Sequence, residues 1–388
     1  MSRYLNRITI VAGIAIFSMF FGAGNTVFPL LLGQVSGDKL WYAFAGLLIT
    51  AVGGPIVGLT GSLLYQGKCR SFFSTAGPYL GFFFLAACLC LVGPFAGLPR
   101  CVIIAYAALL KLTTFVNRYV FIGAFSVLAL IASVREKNLI KLLGCILSPT
   151  LIVALLSIIG IAIATGNPLP ATEITATNAF LQGLTVGYDT LDMIAAIIFS
   201  SSIWMLLGVR LQEEGELDPA EITRISIMSG IIGGFLLGLI YVGLSLATAF
   251  HAESLAGVPP EELLPTLAMT MLGPWFGAVA NIAVSLACFT TVISLMCSLA
   301  AIIQKEFLHE RVDRKTILIV MTLITVAFAC TSFGSLMSLI HPVISFCYPA
   351  IIILTLYNTF SVLYGWKKRH SIVYMVTAAS AASILLGA

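Results

Sequence analysis

Charge is what this sequence has least of. Only 9% of its 388 residues are Asp, Glu, Lys or Arg, while 60% are hydrophobic. Soluble domains carry roughly 25% charged residues, so a water-exposed globule is excluded. Alternation is missing as well. The apolar residues come in near-continuous runs of roughly 20, which suits membrane helices and excludes barrel strands. Metal and redox spacings are also lacking: the nine Cys sit mostly inside apolar runs, and Cys88-x-Cys90 has the wrong spacing for a redox pair. They read as small core residues. There is no H-E-x-x-H, no G-x-S-x-G and no recognisable pair of catalytic carboxylates, so an intramembrane enzyme has the least support. Gly22-x-Gly24 lacks the third glycine and the preceding strand of a dinucleotide loop. The net charge of +4 serves topology and does not indicate a nucleic-acid partner.

What is present is an all-α integral membrane protein. Eleven hydrophobic segments are expected, approximately 8–33, 40–64, 78–110, 118–134, 141–165, 178–209, 225–250, 264–304, 316–333, 335–364 and 371–388. Several are long enough that they must tilt, kink or project from the bilayer. The first begins after Arg3 and Arg7, as a signal peptide would. It is too long for one, and Pro29 does not suit a cleavage site, so it is retained as a span. With the N-terminus inside, every Lys and Arg except Lys39, Lys111, Arg118 and the intrasegment Arg100 falls on an inside loop. The outside loops near 166–177 and 251–263 contain neither residue. This is the positive-inside pattern.

Within the first segment lies Phe17-Ser18-Met19-Phe20-Phe21-Gly22-Ala23-Gly24-Asn25-Thr26-Val27-Phe28-Pro29. Glycine and asparagine both disfavour a helix interior. Irregular backbone at membrane depth is tolerated where protein buries it or where it lines a polar cavity. Two readings are open here: a broken helix whose freed backbone groups coordinate something, or a Gly-rich packing face with a kink. The sixth segment, which enters from the opposite side, carries a comparable patch, Gly187-Tyr188-Asp189-Thr190-Leu191-Asp192. The second segment has a small-residue row at Gly54, Gly58 and Ser62, and the seventh has one at Gly230, Gly234 and Gly238. Interrupted helices one and six followed by Gly-faced helices two and seven suit an inverted five-plus-five repeat.

In the eighth segment Ala287, Thr290 and Thr291 share one helix face. They would offer a carbonyl freed by local irregularity and two hydroxyls, a donor set that hard monovalent cations prefer. The alternative is that each hydroxyl bonds back to its own helix. Asp189 and Asp192 are carboxylates at membrane depth, where such groups are functional by default. Arg100, after Pro99, is expected to pair with a carboxylate or carbonyl rather than to touch substrate. His341, before Pro342, reads as a buried, satisfied histidine at a kink. Glu213, Glu214, Glu216, Asp218 and Glu221 read as a solvated inside loop, with Asp218-Pro219 starting the seventh helix.

Met19-Phe20-Phe21-Gly22-Ala23-Gly24-Asn25 followed by Phe28-Pro29 resembles the first-helix signature of the bacterial branched-chain amino acid:cation symporter family. Gly93-Pro94-Phe95 with Pro99-Arg100, Gly187-Tyr188-x-Thr190-x-Asp192, and Leu286-Ala287-Cys288-Phe289-Thr290-Thr291 look like its third, sixth and eighth helices. The likeness runs along nearly the whole chain. It implies a LeuT-like fold in one transmembrane domain spanning 1–388, with repeats at approximately 8–165 and 178–364 and an extra helix at 371–388. It also implies sodium-coupled uptake of leucine, isoleucine and valine across the bacterial inner membrane, with no cofactor beyond the coupling ion and no protein partner implied. Carried onto this sequence, the sodium ligands would be the carbonyls of Ser18, Phe21 and Ala287 and the hydroxyls of Thr290 and Thr291. The substrate carboxylate would meet amides of Ala23, Gly24 and Asn25, and its ammonium would face Gly187, Tyr188, Thr190 and Asp192. Two features depart from the family pattern. The sequence ends at Ala388 where a twelfth segment is usual, which would leave the C-terminus outside, and Asp189 is acidic. The rival readings are a proton-coupled or ion-independent transporter of the same fold, with Asp189 or Asp192 carrying the proton, and a sensor that binds the amino acid without moving it.

Overall fold

An apolar run with no water to satisfy its backbone must close its hydrogen bonds internally, and helices are what form. The computed structural model describes residues 2–113, 115–135, 139–212, 218–365 and 373–379, and no strand occurs among them. Segments one, two, three, six and eight are interrupted, and all but the sixth at glycine or proline.

The first segment is α1 (Ser2–Phe20) and α2 (Phe28–Ser36), separated by a non-helical stretch with one 3-10 turn at Gly24–Thr26. Pro29 lies in the first turn of α2, where its missing N–H costs nothing. The second is α3 (Leu40–Leu48) and α4 (Gly54–Leu63), joined by a wide π turn over Ile49–Gly53 just before Pro55. A short α5 (Cys69–Phe73) leads to the third segment. That segment runs over Pro78–Leu110, where α6 (Pro78–Val92) and α7 (Gly97–Leu110) flank a bulge. Pro94 has no N–H to give, and the chain passes it with widened bonds from Phe95 N to Cys90 O (3.2 Å) and Leu98 N to Gly93 O (3.0 Å). Then come α8 (Arg118–Arg135) and α9 (Leu139–Ala164).

The sixth segment is α10 (Ala176–Asp189) and α11 (Asp192–Gln212), broken at Thr190 and Leu191. The seventh is α12 (Pro219–Phe250), capped as its sequence predicts: the Asp218 carboxylate accepts from Ala220 N at 3.1 Å. The eighth is α13 (Leu263–Ile302). Gly273 (φ 73, ψ 179) followed by Pro274 folds residues 263–272 back on the rest. Asn281 Nδ2 donates to Pro265 O across this hairpin (3.3 Å). The last described long helices are α14 (Arg314–Ala329) and α15 (Phe333–Tyr364).

Among the described residues, six helical stretches are long and apolar enough to cross a membrane. Three shorter apolar helices, Arg7–Phe20, Arg118–Val134 and Leu151–Ala164, accompany them. The first of these is short because the glycine stretch cuts its segment. Of the eleventh segment only 373–379 is described, and it is helical. Lys137, Lys367, Lys368, Arg369, Glu213, Glu214 and Glu216 lie outside the described residues.

The heaviest packing is reciprocal. α1 and α2 lie on α12, while α10 lies on α3 and α11 on α4, so segment one pairs with seven and segment two with six. Backbones touch at these seams. A Cβ on Gly33 would come within 2.0 Å of Ser245 O, and one on Gly46 within 2.2 Å of Phe180 O. The two small-residue rows are both packing faces, but they are not equivalent. Gly54 and Gly58 meet Met193, whereas Gly230, Gly234 and Gly238 meet Leu59, Ile56 and Val52 of the second segment. The α12 glycine that meets α1 is Gly233, against Gly13 O.

Loops that the charge pattern puts on one side meet at one end. Lys111 pairs with Glu262 at 2.6 Å, and Thr172 donates through N and Oγ1 to Asp38 Oδ1 (3.1 and 3.0 Å). The bonded Lys39 ammonium, aided by Thr172, holds the exposed Asp38 carboxyl below its usual range.

Candidate functional site

The three interruptions in segments one, three and six converge. Between them lies a cavity of about 50 Å³, bordered by Gly22, Ala23, Gly24 and Asn25 of the first break, Gly97, Arg100 and Cys101 beside the bulge, and Thr190, Leu191 and Asp192 of the sixth. Val92, Ala195, Phe199 and Leu295 supply apolar wall. This space admits a water or two, far less than the roughly 300 Å³ of a ligand pocket, so a whole amino acid enters only if the helices part.

Each break leaves backbone groups free. Asn25 Nδ2 reaches back to Phe20 O (3.0 Å) and Thr26 Oγ1 donates to Ala23 O (2.8 Å), which holds the unwound stretch in shape. The amides of Gly22, Gly24 and Asn25 have no acceptor among the described residues, and that of Ala23 faces the Cys101 sulfur. Gly24 lies against the sixth-segment break: a Cβ there would sit 2.8 Å from Thr190 O. Leu191 has φ 62, a left-handed conformation that costs a branched residue roughly 1–3 kcal/mol.

Asp192 opens α11 and is buried against the cavity. Its carboxylate accepts a short hydrogen bond from the Tyr241 hydroxyl, and the Asn25 side chain lies beside both. No cationic side chain among the described residues forms an ion pair with Asp192. A carboxylate at a helix N-terminus is favourably placed.

Next to this cavity is a smaller one of about 20 Å³, lined by Phe17, Ser18, Phe21, Leu151, Ala287, Thr290 and Thr291. All five residues expected at the ion are there. The volume exceeds the roughly 10–15 Å³ that one water needs. No backbone N–H among the described residues reaches the carbonyls of Ser18 or Phe21. One expectation is corrected: α13 is regular here, so the Ala287 carbonyl is not freed by irregularity, and it accepts from Thr290 Oγ1 at 2.9 Å. Thr291 Oγ1 bonds to none of the described residues, and Thr291 borders both cavities.

Of the residues expected at the substrate, Ala23, Gly24, Asn25, Thr190 and Asp192 border the larger cavity, but Gly187 and Tyr188 do not. α10 continues regularly through Asp189, which turns them away. Gly187 is pressed against Thr50, where a Cβ would fall 1.9 Å from Oγ1, and Tyr188 packs on Tyr348 with ring centroids 4.8 Å apart. Asp189 faces a separate, larger recess and bonds to His341 Nδ1 (3.0 Å). The His341 side chain is half exposed, which corrects its reading as buried. Arg100 donates to Asp189 O (2.7 Å), a carbonyl as expected, and it also borders the cavity. Sequence reasoning missed Tyr241, which carries no motif, and the cavity role of Arg100.

Interrupted, tightly packed apolar helices around a small internal cavity make up a fold that solved transporters share. The chain superposes on a Na+-coupled sialic acid symporter in a substrate-bound, outward-open state (TM-score 0.59, 12% identity, 97% of this chain and 89% of that one). It also superposes on Mhp1, a nucleobase-cation-symport-1 family transporter, in a closed conformation (TM-score 0.61, 12% identity, 97% and 87%). At that identity the likeness is one of fold. In sequence, residues 6–387 match the branched-chain amino acid transport protein family, and the chain belongs to it. It is 29% identical over 363 residues to the branched-chain amino acid transport system 3 carrier protein of Pseudomonas aeruginosa (91% of this chain, 81% of that protein). It is 27% identical over 360 residues to the branched-chain amino acid permease BrnQ of Bacillus subtilis (88% and 79%).

Proposed function

We propose that this protein is a secondary active symporter that uses sodium entry to drive leucine, isoleucine and valine into the cell by alternating access. The observation that carries the sodium reading is the ion-sized cavity between α1 and α13 with Ser18, Phe21, Ala287, Thr290 and Thr291 around it. Carbonyl and hydroxyl oxygens on two separate helices suit a hard monovalent cation. An ion there would tie α13 to the unwound first segment, whose next residues border the substrate cavity. Thr291, shared by both cavities, makes the two binding events interdependent, and such linkage is reciprocal.

The substrate carboxylate would meet the free amides of Gly24 and Asn25, and the ammonium would meet Asp192 and the Thr190 carbonyl. Val92, Ala195, Phe199 and Leu295 would take the aliphatic chain. One methylene in such a wall is worth roughly 1–3 kcal/mol, so the three branched-chain amino acids share the site. The reciprocal packing of segments one with seven and two with six supports an inverted repeat within one domain. The charge pattern supports an inner-membrane protein with its N-terminus in the cytoplasm. No reaction is assigned, and neither nucleic acid nor a second protein is required.

A proton-coupled reading is favoured by one observation: Asp192 is a buried carboxylate at the cavity without an ion-pair partner among the described residues. Titrating leucine binding to the purified protein with sodium chloride, against choline chloride at equal ionic strength, separates the two. Leucine affinity rises with sodium under the first reading and is indifferent to it under the second.

A further inference from the structure

Arg100 is 2% exposed and borders the larger cavity, yet no carboxylate lies within ion-pair distance of it among the described residues. Its bonds go to neutral acceptors: Nε to Ala96 O at 3.4 Å and Nη1 to Asp189 O at 2.7 Å. Its guanidinium carbon lies 5.6 Å from the centre of the Phe28 ring. Nη2 has no acceptor among the described residues. A guanidinium offers five N–H donors in a planar fork matched to a carboxylate. A buried charge whose donors are unfilled is costly, and natural sites complete such a group with a partner.

We infer that Arg100 is a specificity-determining residue that receives the α-carboxylate of the substrate, sharing it with the amides of the unwound first segment. This rests on the amino acid transport reading above. With Arg100 and Asp192 both on the cavity wall, the site carries one positive and one negative group in a space otherwise largely apolar. That is the complement of a zwitterion. A simple amine leaves Arg100 unfilled, a simple acid leaves Asp192 unfilled, and both are rejected for that reason. Phe28 backs the guanidinium and the Asp189 carbonyl anchors one nitrogen, so Nη2 is the free arm of the fork. A carboxylate on that arm would join the α7 side of the bulge to the first break and draw three interrupted helices onto one ligand group.

The rival is a strut. Arg100 stands beside the C-terminal carbonyl of α10, a favourable place for a cation with or without substrate. Leucine and leucinol separate the two roles, because leucinol keeps the ammonium and the side chain and replaces the carboxylate by a hydroxymethyl group. Isothermal titration calorimetry in saturating sodium is run with both ligands on wild type, Arg100→Gln and Arg100→Lys. Losing a charge-assisted contact corresponds to roughly 10- to 100-fold in affinity. Wild type is expected to prefer leucine by at least that factor. Arg100→Gln should lose leucine affinity by that factor while leucinol affinity stays within about threefold, and Arg100→Lys should keep part of the preference. Equal loss of both ligands in the variants, or wild type binding leucine and leucinol alike, overturns the inference and leaves the transport reading standing. Wild type binding no branched-chain amino acid at all overturns both.

Discussion

The Tyr241 hydroxyl donates to the Asp192 carboxylate, joining the seventh segment to the break in the sixth. Both side chains are buried, and Asp192 borders the cavity where an ammonium would sit. A tyrosine that fixes one lone pair of the carboxylate leaves the others to face the ligand. Tyr241→Phe removes that donor with little change in shape. A hydrogen bond to a charged group is worth roughly 1.5–3 kcal/mol, so leucine should bind about 10- to 100-fold more weakly. Unchanged leucine affinity in Tyr241→Phe, measured by radioligand binding, would show that Asp192 needs no such support.

Gly24 and Thr190 bring the two principal breaks together. A Cβ on Gly24 meets the Thr190 carbonyl at 2.8 Å, so even Gly24→Ala must push these segments apart. The apolar spans are untouched, and the protein should reach the membrane in normal amount while leucine uptake falls to background. Gly24→Val should do the same. Normal uptake by either variant would mean that the break is a packing kink only.

Thr291→Val replaces the hydroxyl by a methyl at nearly constant volume. Losing one ligand should weaken sodium binding by about 1–3 kcal/mol, a 5- to 150-fold higher sodium requirement. Leucine affinity should recover at saturating sodium. Thr290→Val removes a hydroxyl that already bonds Ala287 O, and it should cost less by itself. The double variant should lose sodium dependence altogether. Sodium-stimulated leucine binding that survives intact in the double variant refutes the ion site.

Orientation is checked by single cysteines in a cysteine-free background. Glu173 and Glu253 are exposed on the loops expected outside, and Arg311 is exposed on one expected inside. Cysteines at the first two should react with an impermeant maleimide on intact cells, and one at Arg311 only after permeabilisation. The reverse pattern would invert the direction of every break described above.

The sequence announced some of the breaks that glycine or proline makes. Gly22, Gly24 and Asn25 marked the first helix, and Asp218-Pro219 marked the start of α12. It misled where the same signals serve packing. Gly187 is pressed on Thr50, and within the expected patch of residues 187–192 the sixth helix breaks only at Thr190 and Leu191, the latter an apolar residue in a left-handed conformation. The hairpin at Gly273 was hidden because hydrophobicity continues through it. Gly93-Pro94 was visible as a motif but not as a bulge, since composition does not reveal which carbonyls the chain skips. Ala287, Thr290 and Thr291 were legible as one helix face, whereas Ser18 and Phe21, which line the same small cavity, were expected only from the family resemblance. Arg100 and Tyr241 were not legible, because their significance is their position on the cavity wall, which only the packing of distant segments creates.

The central claim is tested most directly by leucine uptake into proteoliposomes under one imposed gradient at a time. With sodium outside, none inside and pH equal across the bilayer, labelled leucine should accumulate above its external concentration, and the accumulation should collapse when the sodium gradient is dissipated. An imposed proton gradient without sodium should drive none, and Asp192→Asn should not convert one pattern into the other. Accumulation driven by protons in the absence of sodium, and abolished in Asp192→Asn, would contradict the sodium account and transfer the coupling to that carboxylate.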